Sequence, residues 1–113
     1  MARSIVRTPA AIQDLVDLTA YLVSASQSAA LGARFLMAAE RSFADLSRQP
    51  ELGARRRFSA GDIGEVRIWP IHGFRSHLIF YRDGAAAVEI IRMLHAARDW
   101  AALFGPPATD IAP

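Results

Sequence analysis

Arginine is the residue type in this sequence that is best suited to bind a charged partner. All 13 basic residues are arginine, and lysine and cysteine are absent. Eight of the arginines lie between Arg55 and Arg98, where only four acidic residues accompany them. The forked guanidinium group matches phosphate and carboxylate groups. This segment therefore predicts either a basic surface in contact with solvent or a site for an acidic partner.

His95 is the residue that could transfer a proton, since the pKa of an unperturbed histidine lies near neutrality. The chain has no cysteine nucleophile, and no serine or second acid or base stands at a recognisable spacing from it. We therefore favour a half-buried structural histidine, followed by an internal ion pair between Arg98 and Asp99. His72 and His77 have no acidic ligand close in sequence, so neither a metal site nor a cofactor is expected.

The composition predicts a single globular domain. With 113 residues and 52% hydrophobic content, the chain is long enough to bury a core. No apolar run approaches the roughly 20 residues that cross a bilayer, and the N-terminus does not resemble a signal peptide. We expect a cytoplasmic protein with one domain over residues 1–105 and a disordered tail over residues 106–113.

Apolar residues at helical spacing predict two helices between residues 9 and 49. They are Ile12, Leu15, Val16, Thr19, Leu22 and Val23 in the first helix and Gly32, Phe35, Leu36, Ala39, Phe43 and Leu46 in the second. Thr8 and Pro9 can cap and start the first helix, and Ser24–Ser28 breaks it and offers caps for the second. Asp14 and Asp17 are expected to face water. Helices joined by so few residues should form an antiparallel hairpin.

Strands are predicted on both sides of this hairpin. They lie at about Arg3–Arg7, Gly64–Ile71, Phe74–Arg82 and Ala86–His95, with turns at His72-Gly73 and Asp83-Gly84. Pro70 cannot donate to a ladder, so its strand is expected at an edge or bulged there. Ala54–Gly61 reads as a basic connector, and Ala96–Phe104 could add a short helix. The order β-α-α-β-β-β-(α) predicts an α+β fold with a small, mostly antiparallel sheet and the helical hairpin on one face.

A series of short motifs runs through nearly the whole chain, from about Ser4 to Gly105. In order they are Asp14-Leu15, Leu46 with Pro50-Glu51-Leu52-Gly53, Val66-Arg67 with Trp69-Pro70, Ile79-Phe80-Tyr81-Arg82, and His95-x-x-Arg98-Asp99. This series resembles the ParE branch of the RelE/ParE family of bacterial toxins. The resemblance implies a type II toxin–antitoxin pair, in which a ParD-like antitoxin encoded nearby neutralises the toxin in a hetero-oligomeric complex. It also implies DNA gyrase as the target, inhibited by binding rather than by catalysis.

An alternative in the same family is a ribosome-dependent mRNA endonuclease of the RelE type. Those relatives use several Lys or Arg side chains, often with a tyrosine near the C-terminus, to activate a ribose 2′-hydroxyl. Here that site would consist of His95, Arg67, Arg75 and Arg98. No lysine exists and no tyrosine follows Tyr81, and arginine hardly serves as a base. The leading hypothesis therefore remains a ParE-like toxin that acts by binding, for which no catalytic residues are assigned. A third alternative is a degenerate toxin that only binds its antitoxin.

Two binding surfaces are predicted for these partners. The hairpin stripes hold more apolar residues than one sheet face covers, so we expect the antitoxin to contact Leu15, Leu22, Phe35 and Phe43. Trp100, Leu103 and Phe104 recur at i, i+3 and i+4 beside Arg98, so we expect them, together with Arg67, to contact the target. The alternative for the C-terminal segment is a helical turn that packs back onto the sheet as part of the core.

Overall fold

The computed structural model describes residues 2–59, 64–98 and 100–105. Its elements are β1 (Ser4–Arg7), α1 (Pro9–Ser26), α2 (Ala29–Arg48), β2 (Ala54–Arg57), β3 (Glu65–Ile71), β4 (Phe74–Asp83), β5 (Ala87–His95) and α3 (Trp100–Phe104), with a 3-10 turn at Pro50–Leu52 after α2. The predicted tail at 106–113 and the predicted ion pair of Asp99 lie outside the described residues.

The five strands form one mixed sheet in the order β1-β5-β4-β3-β2. β1 pairs with β5 in parallel, and the other three pairings are antiparallel. The α1–α2 hairpin packs on one face of this sheet, mainly through contacts of α1 with β5 and of α2 with β1, β3 and β5. The predicted α+β fold is therefore confirmed, with one additional strand.

That additional strand is β2, which the sequence pattern did not reveal. Ala54–Gly61 was expected to be a connector, but its first four residues pair with residues 65–68 of β3. All four side chains of β2 are exposed, so the segment carries no apolar alternation that could mark it as a strand. β2 forms the edge of the sheet in place of β3. The ladder of β3 shifts at Pro70, beyond the end of β2, so the predicted bulge is present.

The helices begin at the predicted caps and pack closely against each other. The Thr8 hydroxyl accepts the Ala11 N–H at 3.0 Å and the Ser28 hydroxyl accepts the Leu31 N–H at 3.1 Å. α1 continues to Ser26, into the segment that was predicted to break it. A Cβ atom on Gly32 would lie 2.4 Å from Val23 Cγ2, so glycine lets α2 approach α1 at this point.

Apolar side chains fill both faces of the sheet. The core under the hairpin consists of Ala11, Phe35, Ala39, Phe43, Leu46, Ile71, Ile79, Tyr81, Val88, Ile90 and Met93. The opposite face carries a second core of Phe58, Val66, Phe80, Leu94 and Phe104, against which Trp100 and Leu103 pack. α3 therefore covers the face that the hairpin leaves open.

A bulge in β5 decides which side chains enter which core. Tyr81 pairs with Ile90 and Phe80 pairs with Arg92, so Ile91 is an extra residue in the ladder. Simple alternation would place Ile90 and Met93 on opposite faces. Because of the extra residue, both enter the core under the hairpin.

Candidate functional site: an apolar groove on the helical hairpin

An open apolar groove of about 380 Å³ runs along the hairpin beside the end of β1. Its lining consists of Arg7, Ile12, Leu15, Val16, Thr19, Ala20 and Leu36. Ile12, Val16 and Leu36 are 50%, 56% and 41% exposed. Contiguous apolar surface of this kind makes the groove a candidate site for another molecule. We call this surface the α1–α2 groove.

The exposed large hydrophobic side chains of the described residues are confined to β1 and the hairpin. They are Val6, Ile12, Val16, Tyr21, Leu36 and Met37. α1 explains most of this surface, because its apolar residues span more of the helix circumference than the sheet covers. Leu15, Leu18 and Leu22 pack against the core, whereas Ile12 and Val16 lie on the neighbouring strip of the helix. The excess apolar strip forms the groove wall.

Arg7 places a charge at the rim of the α1–α2 groove. Its Nη2 lies 2.7 Å from both carboxylate oxygens of Glu40, and its guanidinium lies 4.6 Å above the Phe43 ring. Both charged side chains remain partly exposed. A partner bound in the groove would therefore lie beside the Arg7–Glu40 ion pair. A carboxylate of that partner could bind the Arg7 guanidinium together with Glu40.

The structure separates the four residues that were predicted to contact the antitoxin. Leu15 lines the α1–α2 groove, and Leu22 is half-buried against the core. Phe35 and Phe43 are 0% and 2% exposed, and Phe35 contacts the Phe74 ring edge-on at 5.1 Å. These two phenylalanines are not on the surface of the free chain. Helical spacing identified the apolar stripe correctly but could not show which part of it the sheet covers.

The C-terminal segment is placed as part of the second core. Phe104 is 3% exposed, and its ring lies 5.1 Å from Phe58 and 5.2 Å from Phe80. Trp100 contacts Phe80 edge-on at 5.2 Å, with the Arg56 guanidinium 5.7 Å from its ring. This arrangement agrees with the packing alternative for Trp100, Leu103 and Phe104. Arg98 is exposed, so its predicted contact with a target stays a prediction.

The residues of the endonuclease alternative lie at two ends of the sheet. His95 pairs with His77 and Arg67 pairs with Tyr81, four residues along β4 and hence about 13 Å away. Arg75 and Arg98 lie toward the His95 end, where the Ser76 carbonyl accepts the Ala96 N–H at 2.7 Å. Arg67 instead donates through Nη1 to the carbonyls of Gly53 and Glu51 at 2.8 and 3.2 Å. The fold does not bring the set together.

His77 and His95 form a cross-strand pair with ring centroids 5.1 Å apart. His77 is buried, and its Nδ1 has no hydrogen-bond partner among the described residues. Burial lowers the pKa of His77, and the neighbouring His95 lowers it further. His95 is exposed, and its Nδ1 accepts the Ala97 N–H at 3.0 Å. His77 is thus the buried histidine, whereas the sequence pointed to His95.

Tyr81 explains the Pro50-Glu51-Leu52-Gly53 motif. Its hydroxyl donates to the Pro50 carbonyl at 2.6 Å and accepts the Gly53 N–H at 2.8 Å. A Cβ atom on Gly53 would lie 2.8 Å from this hydroxyl, so only glycine leaves room for it. Burial raises the pKa of Tyr81. The motif anchors the end of α2 to β4.

Asp14 is the polar residue whose role the sequence misassigned. It was expected to face water, yet its carboxylate accepts from Arg92 Nε and Nη2 at 2.6 and 2.9 Å and from the Met93 N–H at 3.0 Å. The hydrogen bond to Asp14 raises the pKa of Arg92. The pair joins α1 to β5, two elements that lie far apart in the sequence.

Neither a metal cluster nor a membrane-crossing helix is found among residues 2–59, 64–98 and 100–105. No three His, Asp or Glu side chains there come close enough to hold a metal ion. None of the helices in these ranges is long and apolar enough to cross a membrane.

The fold and a match to a protein family define the class of the protein. A helical hairpin on one face of a mixed sheet, after a first parallel strand, is the α+β architecture of RelE/ParE-like toxins. The family model described as "ParE toxin of type II toxin-antitoxin system, parDE" matches residues 5–100. The chain therefore belongs to the ParE toxin family and is a toxin of a type II toxin–antitoxin system. No curated protein gives a significant match to the chain.

Proposed function

We propose that this chain is held inactive by a ParD-like antitoxin that occupies the α1–α2 groove. In the cytoplasm, the free toxin then stops growth by binding DNA gyrase and blocking replication. The observation that carries the first part is the confinement of exposed large hydrophobic side chains to β1 and the hairpin, among the residues that the structure describes. The ParE family membership carries the second part.

The shape and chemistry of the α1–α2 groove suit an amphipathic helix. Ile12, Val16 and Leu36 offer an apolar floor between two helices, and such a floor takes side chains at i, i+3 or i+4, and i+7 of a bound helix. Arg7 and Glu40 lie at its rim, where a polar face of the partner would remain in contact with water. The toxin and the antitoxin would form a hetero-oligomeric complex through this surface.

Action by binding rather than by catalysis is supported by the placement of the basic and titratable groups. Arg67 is engaged with two backbone carbonyls and lies about 13 Å along the sheet from His95. Arginine holds its proton at neutral pH and cannot act as the base in its place. His95, Arg67, Arg75 and Arg98, all among the described residues, therefore do not meet at one site.

The groove assignment is tested by placing a charge in the α1–α2 groove. We expect Val16→Arg to weaken antitoxin binding by at least roughly 30-fold, because it buries a charge at a central apolar contact. Isothermal titration calorimetry against the antitoxin encoded beside this gene measures the effect. Since Val16 is 56% exposed, the free chain should keep its melting temperature.

Tyr21→Arg is the matched control for this experiment. Tyr21 is a 69% exposed apolar residue on the same helix, five positions from Val16 and hence about 140° around it. We expect this variant to bind the antitoxin like the unchanged chain. Equal losses in both variants, or no loss in Val16→Arg, would show that the antitoxin binds elsewhere.

The proposed target is tested by expression of the toxin without antitoxin. Gyrase inhibition predicts filamentous cells, a DNA damage response and loss of supercoiling by purified gyrase in the presence of the toxin. Ribosome-programmed mRNA should remain intact in the same preparations. Codon-specific mRNA cuts that disappear in His95→Ala would contradict the proposal and favour the endonuclease alternative.

A further inference from the structure

A second pocket opens on the hairpin side of the sheet, beyond the 3-10 turn. It measures about 340 Å³ and is lined by Arg55, Glu65, Val66, Arg67, Tyr81, Arg82, Asp83 and Gly84. These residues belong to β2, β3 and β4 and to the turn after β4. Arg55 on β2 and Arg67 on β3 lie four and three strand spacings from β1, which borders the α1–α2 groove, or about 19 and 14 Å. The two surfaces are therefore separate.

Two like charges face each other in this pocket. Arg55 of β2 and Arg67 of β3 are direct cross-strand partners, so their side chains lie on the same face of the sheet. Like charges directly opposite each other destabilise a strand pair. This pair lies at the edge of the sheet, with Arg55 on the exposed edge strand β2.

The carboxylates of the pocket do not neutralise this arginine pair. Asp83 is engaged by Arg3 from β1's side of the molecule, and Glu65 lies 3.6 Å from Arg57. Arg55 makes no ion pair with a carboxylate of the described residues. Both charges of the Arg55–Arg67 pair therefore remain available to an external anion.

Arg67 is held ready for such an anion. Its two hydrogen bonds to the carbonyls of Gly53 and Glu51 both use Nη1. A guanidinium has five N–H donors, so Nη2 and Nε retain donor capacity beyond these bonds. A side chain already fixed by backbone contacts loses little entropy when it binds, which favours affinity.

We propose that Arg55 and Arg67 form a binding site for a backbone phosphate of a nucleic acid. The surroundings favour a polyanion over an isolated anion. Arg57 lies two residues beyond Arg55 on β2, the open edge of the sheet, so these two side chains share a face about 7 Å apart along the strand, while Arg56 lies on the opposite face near Trp100. A nucleic acid carries closely spaced charges along a line and can follow such a row. The site does not depend on which target the toxin inhibits.

The test measures binding of a fluorescein-labelled 20-base-pair duplex of arbitrary sequence to the purified full-length chain, by anisotropy over a series of KCl concentrations. The affinity should fall with salt, with a logarithmic slope of roughly −0.9 for each phosphate that is neutralised. We expect Arg55→Ala to reduce the magnitude of that slope by about one and to weaken binding at low salt by about tenfold. Arg55→Lys should keep most of the slope, because it keeps the charge.

Arg75→Ala is the matched control, since Arg75 is an exposed arginine at the other end of β4. It should leave the slope unchanged. Equal effects of Arg75→Ala and Arg55→Ala would reduce the site to a general basic surface and overturn the proposal. An absence of duplex binding would also overturn the proposal. The same holds if a polyglutamate peptide binds through Arg55 while the duplex does not bind. Melting temperatures of the three variants verify that each is folded.

Discussion

Asp14 closes the edge of β5 at the point where β1 ends. β1 pairs with residues 87–90, and the Thr8 N–H and hydroxyl then donate to the carbonyls of Ile90 and Ile91. The carboxylate of Asp14 accepts the Met93 N–H and the hydrogen bonds of the Arg92 guanidinium. An unpaired strand edge is thereby satisfied by side chains from the start of α1, so the helix is fixed against the sheet.

Removal of this carboxylate is expected to destabilise the fold. The side chains of Asp14 and Arg92 are 13% and 23% exposed. Asp14→Ala leaves a largely buried guanidinium and a backbone N–H without their acceptor, so we expect a loss of about 2–3 kcal/mol in the free energy of unfolding. Urea denaturation measures it. Asp17→Ala, which removes only a surface contact with Gln13, should cost less than about 0.5 kcal/mol.

His77 gives the fold a dependence on mildly acidic pH. Its pKa is lowered from 6.5 in the folded chain, first by burial and then by His95, so the unfolded chain takes up the proton at a higher pH than the folded chain does. The contribution of His77 to the free energy of unfolding should therefore be constant well above pH 6.5, the pKa of the unfolded chain, and should fall as the pH drops below it. His77→Leu should flatten this part of the profile, whereas His72→Gln at the exposed turn should not. Identical profiles for all three proteins would show that another group is responsible.

α3 acts as a cover for the second core. The α1–α2 hairpin occupies one face of the sheet, and the other face exposes Phe80, Leu94 and Val66 unless the short helix lies on it. A helix of five residues has no stability of its own in water, so its position depends on the rings of Trp100 and Phe104. Trp100, Leu103 and Phe104, which the sequence pattern presents as an exposed apolar patch, are therefore packed against the sheet.

Loss of the Trp100 ring should weaken this cover. We expect Trp100→Ala to lower the free energy of unfolding by about 2–3 kcal/mol, because the half-buried indole loses its edge contact with Phe80. Trp100→Phe keeps an aromatic ring there and should cost less than about 1 kcal/mol, since the indole Nε1 has no described partner to lose. If Trp100→Ala instead keeps its melting temperature and loses only growth inhibition, the segment is a target-binding surface, as the sequence first suggested.

The two proposed surfaces lie at opposite edges of the molecule. The α1–α2 groove borders β1, and the Arg55–Arg67 pair lies on β2 and β3, with β5 and β4 between them. An antitoxin helix in the groove therefore leaves the arginine edge accessible. The same arrangement lets one surface take an apolar partner while the other keeps its charges in contact with water.

Antitoxin binding should accordingly protect only part of the chain. In hydrogen exchange, we expect slower exchange for amides of α1 and α2 near Ile12, Val16 and Leu36, because partner burial suppresses local opening of the hairpin. The amides of β2 should exchange as they do in the free chain. Protection confined to β2 or α3, with unchanged hairpin amides, would contradict the proposed antitoxin site.

The sequence by itself determined the elements whose signals are local. Thr8-Pro9 and Ser28 set the helix starts, helical spacing gave the hairpin, and alternation with Gly73 and Gly84 gave the β3–β5 meander. The motif series was also sufficient to identify the family. These features depend on backbone preferences and on periodicities within a few turns or strands, which one sequence contains in full.

Only the tertiary structure decided which apolar and charged residues face a partner. Phe35 and Val16 both sit on apolar helical stripes, but the sheet covers one and leaves the other 56% exposed. β2 is a strand because its residues pair with β3, and Asp14 is half-buried because its carboxylate bonds to Arg92 and to the Met93 N–H. Coverage, pairing and charge neutralisation depend on distances between segments remote in the chain, and no local pattern records those distances.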